Sequence, residues 1–207
     1  MQAIPIWPVT MFYFVWAEHN THADTLKSVC QVLEQHNQVS NVATSIKHNL
    51  YESAFNFVQT PNVSVEAWSH WAKDCIFKSA ARVNSGLWPA GANIDVELHE
   101  SWCHITRDGG YHDSHVHPGS SWSCIYYLDP GDTDINTKNG VNRFYNPNNS
   151  MYVDAGTQYM SQSNSIDVSP QSGMLIVFPS WIPHSALCYR GQSDRYVLSA
   201  NSRITVS

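Results

Sequence analysis

With 207 residues, 43 % of them hydrophobic, the chain has the length of one domain and enough apolar material for a sizeable core. Eleven Lys and Arg against seventeen Asp and Glu give a formal net charge of −6, with no basic run of the kind that attracts nucleic acid or an anionic membrane. Charged residues make up only 14 %, below the usual ~25 %, and Ser, Asn, Gln and His stand in their place, which is a globular rather than a disordered composition.

The apolar stretch at residues 3–17 contains Pro5 and Pro8 and has no cationic segment before it. It is also shorter than the ~20 residues of a membrane span, so neither a secretion signal nor a membrane anchor is expected. Five scattered cysteines (Cys30, Cys75, Cys103, Cys124, Cys188) form no CxxC pair, which argues against a disulfide framework or a zinc knuckle and for a reducing, cytoplasmic setting. A first helix is expected from Thr21, with Asp24 placed as in a capping box and Leu26, Val29, Cys30 and Leu33 on one face. A second should run from a Ser64 cap to Gly86, with Trp68, Trp71, Ala72, Cys75, Ile76 and Val83 on its buried side.

Near residue 90 the pattern changes. Short runs rich in β-branched and aromatic residues follow (IDVELHESW, SWSCIYYL, GVNRFY, GMLIVFP, RYVLSANSRI), separated by turn residues. This gives one domain over residues 1–207: a supporting region of helices with an opening strand at 1–90, and a β sandwich or barrel at 91–207. The polar stretch from Asp129 to Gly173 reads as an excursion around one short strand, Val141 to Tyr145, and as a candidate cover for a cavity. Trp102, Trp122, Tyr126 and Trp181 are candidates to line it, although tryptophan more often serves packing.

Four histidines carry the chemistry. In HVHP, His115 and His117 alternate along an extended backbone and can face one ion, with Pro118 holding His117 out of the α region. His184 follows an apolar strand and sits among prolines, where the backbone leaves the sheet. Imidazole suits iron, copper, nickel and zinc alike. Arg195 comes eleven residues later, a separation that allows a return along a neighbouring strand, where Val197, Ser199 and Asn201 share its face. A guanidinium beside a metal suits a carboxylate ligand. Asp113 is an alternative metal ligand, being two residues from His115. The literal HxD at His22-Ala23-Asp24 is better explained by helix capping. His99, His104 and His112 read as surface or supporting groups.

These residues resemble the 2-oxoglutarate- and iron(II)-dependent oxygenases, in particular a group of small oxygenases of marine bacteria and phages. The resemblance spans about residues 93–203. It rests on Ser101-Trp102, GGYHDSHVHPGSSWSCIYYL, FPSWIPH and RYVLSAN. It implies a jelly roll (double-stranded β-helix, cupin-like) buttressed by helices, with Fe(II) on His115, His117 and His184. It further implies 2-oxoglutarate as cosubstrate with Arg195 on its distal carboxylate, assisted by Tyr127, and O2 as oxidant. Ser199 and Asn201 join as polar neighbours of Arg195. The substrate would be a small molecule or a peptidyl side chain, hydroxylated at an unactivated C–H bond with release of succinate and carbon dioxide. Membrane and nucleic acid are not expected partners, and a homodimer is left open. One departure matters: most of the superfamily has HxD or HxE where this chain has HxH. The competing readings are a three-histidine dioxygenase that works without 2-oxoglutarate and a noncatalytic jelly-roll binding module.

Overall fold

Hydrophobic spacing places the two helices, and local hydrogen bonds decide where they start. The computed structural model describes residues 9–36, 46–84, 86–147, 154–155 and 164–207. Helix α1 covers His19–His36, so Thr21 and Asp24 lie inside its first turns instead of capping it. Helix α2 covers Val63–Asn84. Its cap is Asn62, not Ser64: Asn62 Oδ1 accepts from the backbone N–H of Ser64 at 2.8 Å and of Val65 at 3.4 Å. Ser64 Oγ instead meets His22 Nδ1 at 2.9 Å and ties the two helices together. Val65, Trp68, Ala72, Cys75, Ile76 and Ala80 form the buried side of α2, whereas Val83, expected there, is 44 % exposed.

The strands are β1 (Phe12–Val15), β2 (Lys47–Glu52), β3 (Ile94–His115), β4 (Trp122–Asp129), β5 (Asn142–Tyr145), β6 (Ser165–Val168), β7 (Met174–Pro179), β8 (His184–Ala186) and β9 (Arg195–Val206). They hydrogen-bond in the order β1-β7-β4-β9-β3-β8-β5-β6, with β2 added to β3, and every pairing among them is antiparallel. The result is the expected jelly roll. Along β4, Cys124, Tyr126 and Leu128 join the core shared with the helices, while Ile125 and Tyr127 face a second cluster with Ile176, Phe178 and Val197. Trp122 and Tyr126 are therefore core residues; Tyr126 packs on Trp16, Trp68 and Trp71 and bonds His19 Nδ1 at 2.6 Å. No described helix is long and apolar enough to cross a membrane.

Two elements of the polar stretch differ from expectation. It contributes two strands, β5 and β6, paired with each other, instead of one. The part at 148–153 and 156–163 lies outside the described residues, so the expectation of a cover over the cavity falls largely outside them as well.

β3 positions the site. Residues 94–106 pair with β9, whereas His112 and His115 pair with β8, so a single strand serves both halves of the roll. The change of partner occurs at a Gly-Gly bulge. Against β2, Leu50 is opposite Thr106 but His48 is opposite Tyr111, so residues 107–110 have no partner in that register. Gly109 has φ +81°, a left-handed conformation that disfavours side chains. A Cβ at Gly110 would lie 2.7 Å from the Asn49 carbonyl oxygen and 2.8 Å from that of Arg107. Gly110→Ala is expected to destabilise the protein by about 1–3 kcal/mol, measured by urea unfolding, and to weaken cobalt(II) binding because the bulge sets where His112 and His115 fall.

Candidate active site

His115 and His184 are directly opposite each other where β3 meets β8. His184 opens β8; it does not close the apolar strand β7, from which a turn containing Trp181 and Ile182 separates it. His117 lies just beyond the end of β3, and its backbone N–H donates to the Ser180 carbonyl at 3.0 Å. The ligand atoms of His115, His117 and His184 all fall within 4.8 Å of one another. Two of the rings have their tautomer set by the backbone. His115 Nδ1 is 2.8 Å from the Asp113 carbonyl and His184 Nδ1 is 3.0 Å from the Ile182 carbonyl. Each Nδ1–H therefore donates to a carbonyl and leaves Nε2 as a lone-pair donor. The Asp113 side chain is exposed and lies outside the cluster, and its carbonyl is what touches the site.

Burial keeps these imidazoles neutral. The His184 pKa is pushed down to about 3, by burial first and then by the neighbouring His115. His117 falls to about 4 for the same two reasons, and His115 is lowered by burial. Neutral imidazole is the form that binds a metal.

Arg195 opens β9 beside Thr106 of β3 and lines the same cavity, together with Val197 and Ser199 on its strand face. It is 3 % exposed, yet no carboxylate among the described residues pairs with it. Its Nη2 donates to Asn142 Oδ1 at 2.8 Å and the guanidinium lies 5.6 Å from the Tyr127 ring centre. Its Nε has no partner among the described residues. Burial lowers its pKa, but a guanidinium remains charged. A buried cation so placed is costly until an anion arrives. Tyr127 is fully buried and donates its hydroxyl to the same Asn142 Oδ1 at 2.9 Å. Asn201 is turned to other work: its amide donates to Glu100 at 2.8 Å and its carbonyl accepts from Ser123 Oγ at 2.7 Å.

Three of the lining residues that the sequence reading did not place in the cavity matter for its chemistry. Asn142 was hidden in a short strand, where a buried amide between β-formers was the available signal. His104 and His112, expected as surface or supporting groups, also line the cavity. His112 stacks on His115 with ring centres 4.0 Å apart and 17° between planes. Of the four aromatic candidates only Trp102 lines the cavity, beside His117 at 5.6 Å, with an indole N–H that has no partner among the described residues. Trp181 is 55 % exposed, and His99 bonds Ser120 Oγ at 2.8 Å, outside the cavity lining.

A family profile described as "Putative 2OG-Fe(II) oxygenase" matches residues 100–201, which hold all these motifs. The chain belongs to the 2-oxoglutarate- and iron(II)-dependent oxygenases. Solved structures share its fold at low identity. A Pseudomonas putida prolyl-4-hydroxylase has TM-score 0.62 and 15 % identity, covering 94 % of this chain and 92 % of that one. HygX from Streptomyces hygroscopicus, with nickel, 2-oxoglutarate and hygromycin B bound, has TM-score 0.59 and 11 % identity, covering 94 % and 82 %. SnoK, a non-heme α-ketoglutarate-dependent carbocyclase from nogalamycin biosynthesis, has TM-score 0.64 and 12 % identity, covering 94 % and 79 %. No curated protein sequence matches the chain. The protein is an oxygenase that uses Fe(II), 2-oxoglutarate and O2, which sets aside the noncatalytic reading and the reading without 2-oxoglutarate.

The lowered histidine pKa values have a consequence for the metal-free oxygenase. Below the ordinary value of 6.5 the unfolded chain takes up protons that the folded protein refuses. Stability should therefore fall as pH drops from about 7 towards 4, where His117 begins to charge in the folded state too. Urea unfolding at pH 7.5, 6.0 and 5.0 measures this, and a flat profile contradicts it.

Proposed function

We propose that His115, His117 and His184 hold the ferrous ion and that Arg195 takes the distal carboxylate of 2-oxoglutarate. The observation that carries this reading is the juxtaposition of three neutral imidazoles with a buried, anion-free guanidinium in one cavity. Imidazole nitrogen suits iron, and the unpartnered Nε of Arg195 is a donor that a carboxylate satisfies. Asn142 and Tyr127 orient the guanidinium; Tyr127 acts through Asn142 in this arrangement. Ser199 offers a small hydroxyl on the same strand face, and Asn201 supports the strand through Glu100 and Ser123.

The bound iron supplies the oxidising chemistry, consuming O2 and 2-oxoglutarate with release of succinate and carbon dioxide. The protein's own part is positional. The carbonyls of Asp113 and Ile182 fix the rings of His115 and His184. Phe144 and Phe178 pack against His184, with ring centres at 5.6 Å and 4.8 Å, and shield it from bulk water. Trp102 Nε1 is a further donor available to an incoming oxygen. The substrate is a small molecule or a peptidyl side chain, hydroxylated at an unactivated C–H bond. Nucleic acid is disfavoured by the net charge of −6. The chain acts as one domain with residues 91–207 carrying the centre, in the cytoplasm, which the free cysteines favour. A homodimer is compatible with this reading, since the proposed centre draws on residues of one chain.

Two variants test the roles. Arg195→Met should weaken 2-oxoglutarate binding by about 100-fold, from the loss of about 3 kcal/mol of charge-assisted hydrogen bonding, with iron content retained. Unchanged binding would overturn the assignment. His117→Asp should also bind 2-oxoglutarate more weakly, because a carboxylate ligand cancels part of the charge that three neutral imidazoles leave on the ion. The readouts are anaerobic titration and succinate release.

A further inference from the structure

Beside the three-histidine cluster lies another group of metal-ligating side chains. Glu52 of β2 and His104 of β3 are cross-strand partners, and Lys47 at the other end of β2 is opposite His112. The Gly109–Gly110 bulge lies between His104 and His112 in the chain, and the two rings meet edge to face at 5.9 Å. One ligand atom each from Glu52, His104 and His112 falls within 4.8 Å of the others. His104 Nε2 and Glu52 Oε2 are 2.8 Å apart, with side chains 13 % and 11 % exposed. Neither ring nitrogen of His112 has a hydrogen-bond partner among the described residues, although the residue lines the cavity.

We propose that Glu52, His104 and His112 form a second binding site for a divalent transition-metal ion, on the wall of the same cavity. Two imidazoles and one carboxylate, brought together by β2 and the two legs of β3, are a donor set that takes iron(II), cobalt(II), nickel(II) or zinc(II). The near-parallel stack of His112 on His115 keeps the two sites separate, because ring lone pairs lie in the ring plane and each ring then addresses its own ion. Ligation through His104 replaces its hydrogen bond to Glu52, with the ring proton moving to Nδ1, which has no partner among the described residues. The site is the weaker of the two. Lys47 donates to Glu52 Oε1, leaving Oε2 for the metal, and its ammonium repels an arriving cation. Lys47 thus makes a signed prediction that a purely structural ion pair does not.

The test is anaerobic cobalt(II) titration of the metal-free full-length protein, followed by calorimetry and by elemental analysis after desalting. The wild type should bind two equivalents, the second at least tenfold more weakly. Glu52→Gln should weaken the second by tenfold or more and leave the first in place. Lys47→Met should tighten the second by tenfold or more, a gain that misfolding cannot produce. A single equivalent in the wild type, a second equivalent indifferent to Glu52→Gln, or no tightening in Lys47→Met would each overturn the proposal. Loss of the tight equivalent alone, by contrast, bears on the three-histidine centre and leaves the second site readable.

Discussion

One long strand that changes its pairing partner part-way along is the constraint on which the rest of this molecule depends. β3 is 22 residues long, and its first part pairs with β9 while its last residues pair with β8. Antiparallel pairing fixes what stands opposite each residue, so once the strand bends, the positions of Trp102, His104, Thr106, His112 and His115 follow from register. The bend needs two residues without side chains: Gly109 takes a left-handed conformation, and at Gly110 the carbonyls of Asn49 and Arg107 occupy the space where a Cβ would go. Register thus sets where His115 and His184 stand, while the turn after β7 holds His117 through the Ser180 carbonyl and orients the His184 ring through that of Ile182.

The cavity is electrostatically incomplete by construction. A folded protein ordinarily pairs a buried guanidinium with a carboxylate; here the partner is an amide. The neighbouring histidines are neutral, so they add no anion and release none. Glu52, behind the lining residue His104, is raised by burial but held at about 2 by His104 and Lys47, which consume its charge locally. On the reading proposed above, the free energy withheld from Arg195 during folding becomes available when 2-oxoglutarate binds.

Much of this was legible in the amino-acid order. HVHP, the histidine after Ile-Pro and the arginine beyond it do meet in one cavity, since each is bound to a strand whose period is readable. The long strands β4, β7 and β9 stood out by their β-branched and aromatic runs. What escaped depended on partners distant in sequence. β8 has only three residues, too few for a pattern, and exists because β3 and β5 flank it. Thr21 looked like a cap, but the backbone N–H of His19 already bonds the Trp16 carbonyl, and α1 starts there. His104 and His112 looked peripheral because nothing in the local sequence reveals that β3 folds back past Glu52.

Asn142 holds a particular place in this arrangement. Its carbonyl oxygen receives two donors, and its amide nitrogen is 3.5 Å from the Ser185 carbonyl, so the orientation of the group is fixed on both sides. Replacing that nitrogen by oxygen would turn the residue into aspartate and give Arg195 a permanent internal counter-ion. On the reading proposed above, that counter-ion would compete with the distal carboxylate of 2-oxoglutarate for Arg195, and its second oxygen would face the Ser185 carbonyl that the amide now approaches as a donor.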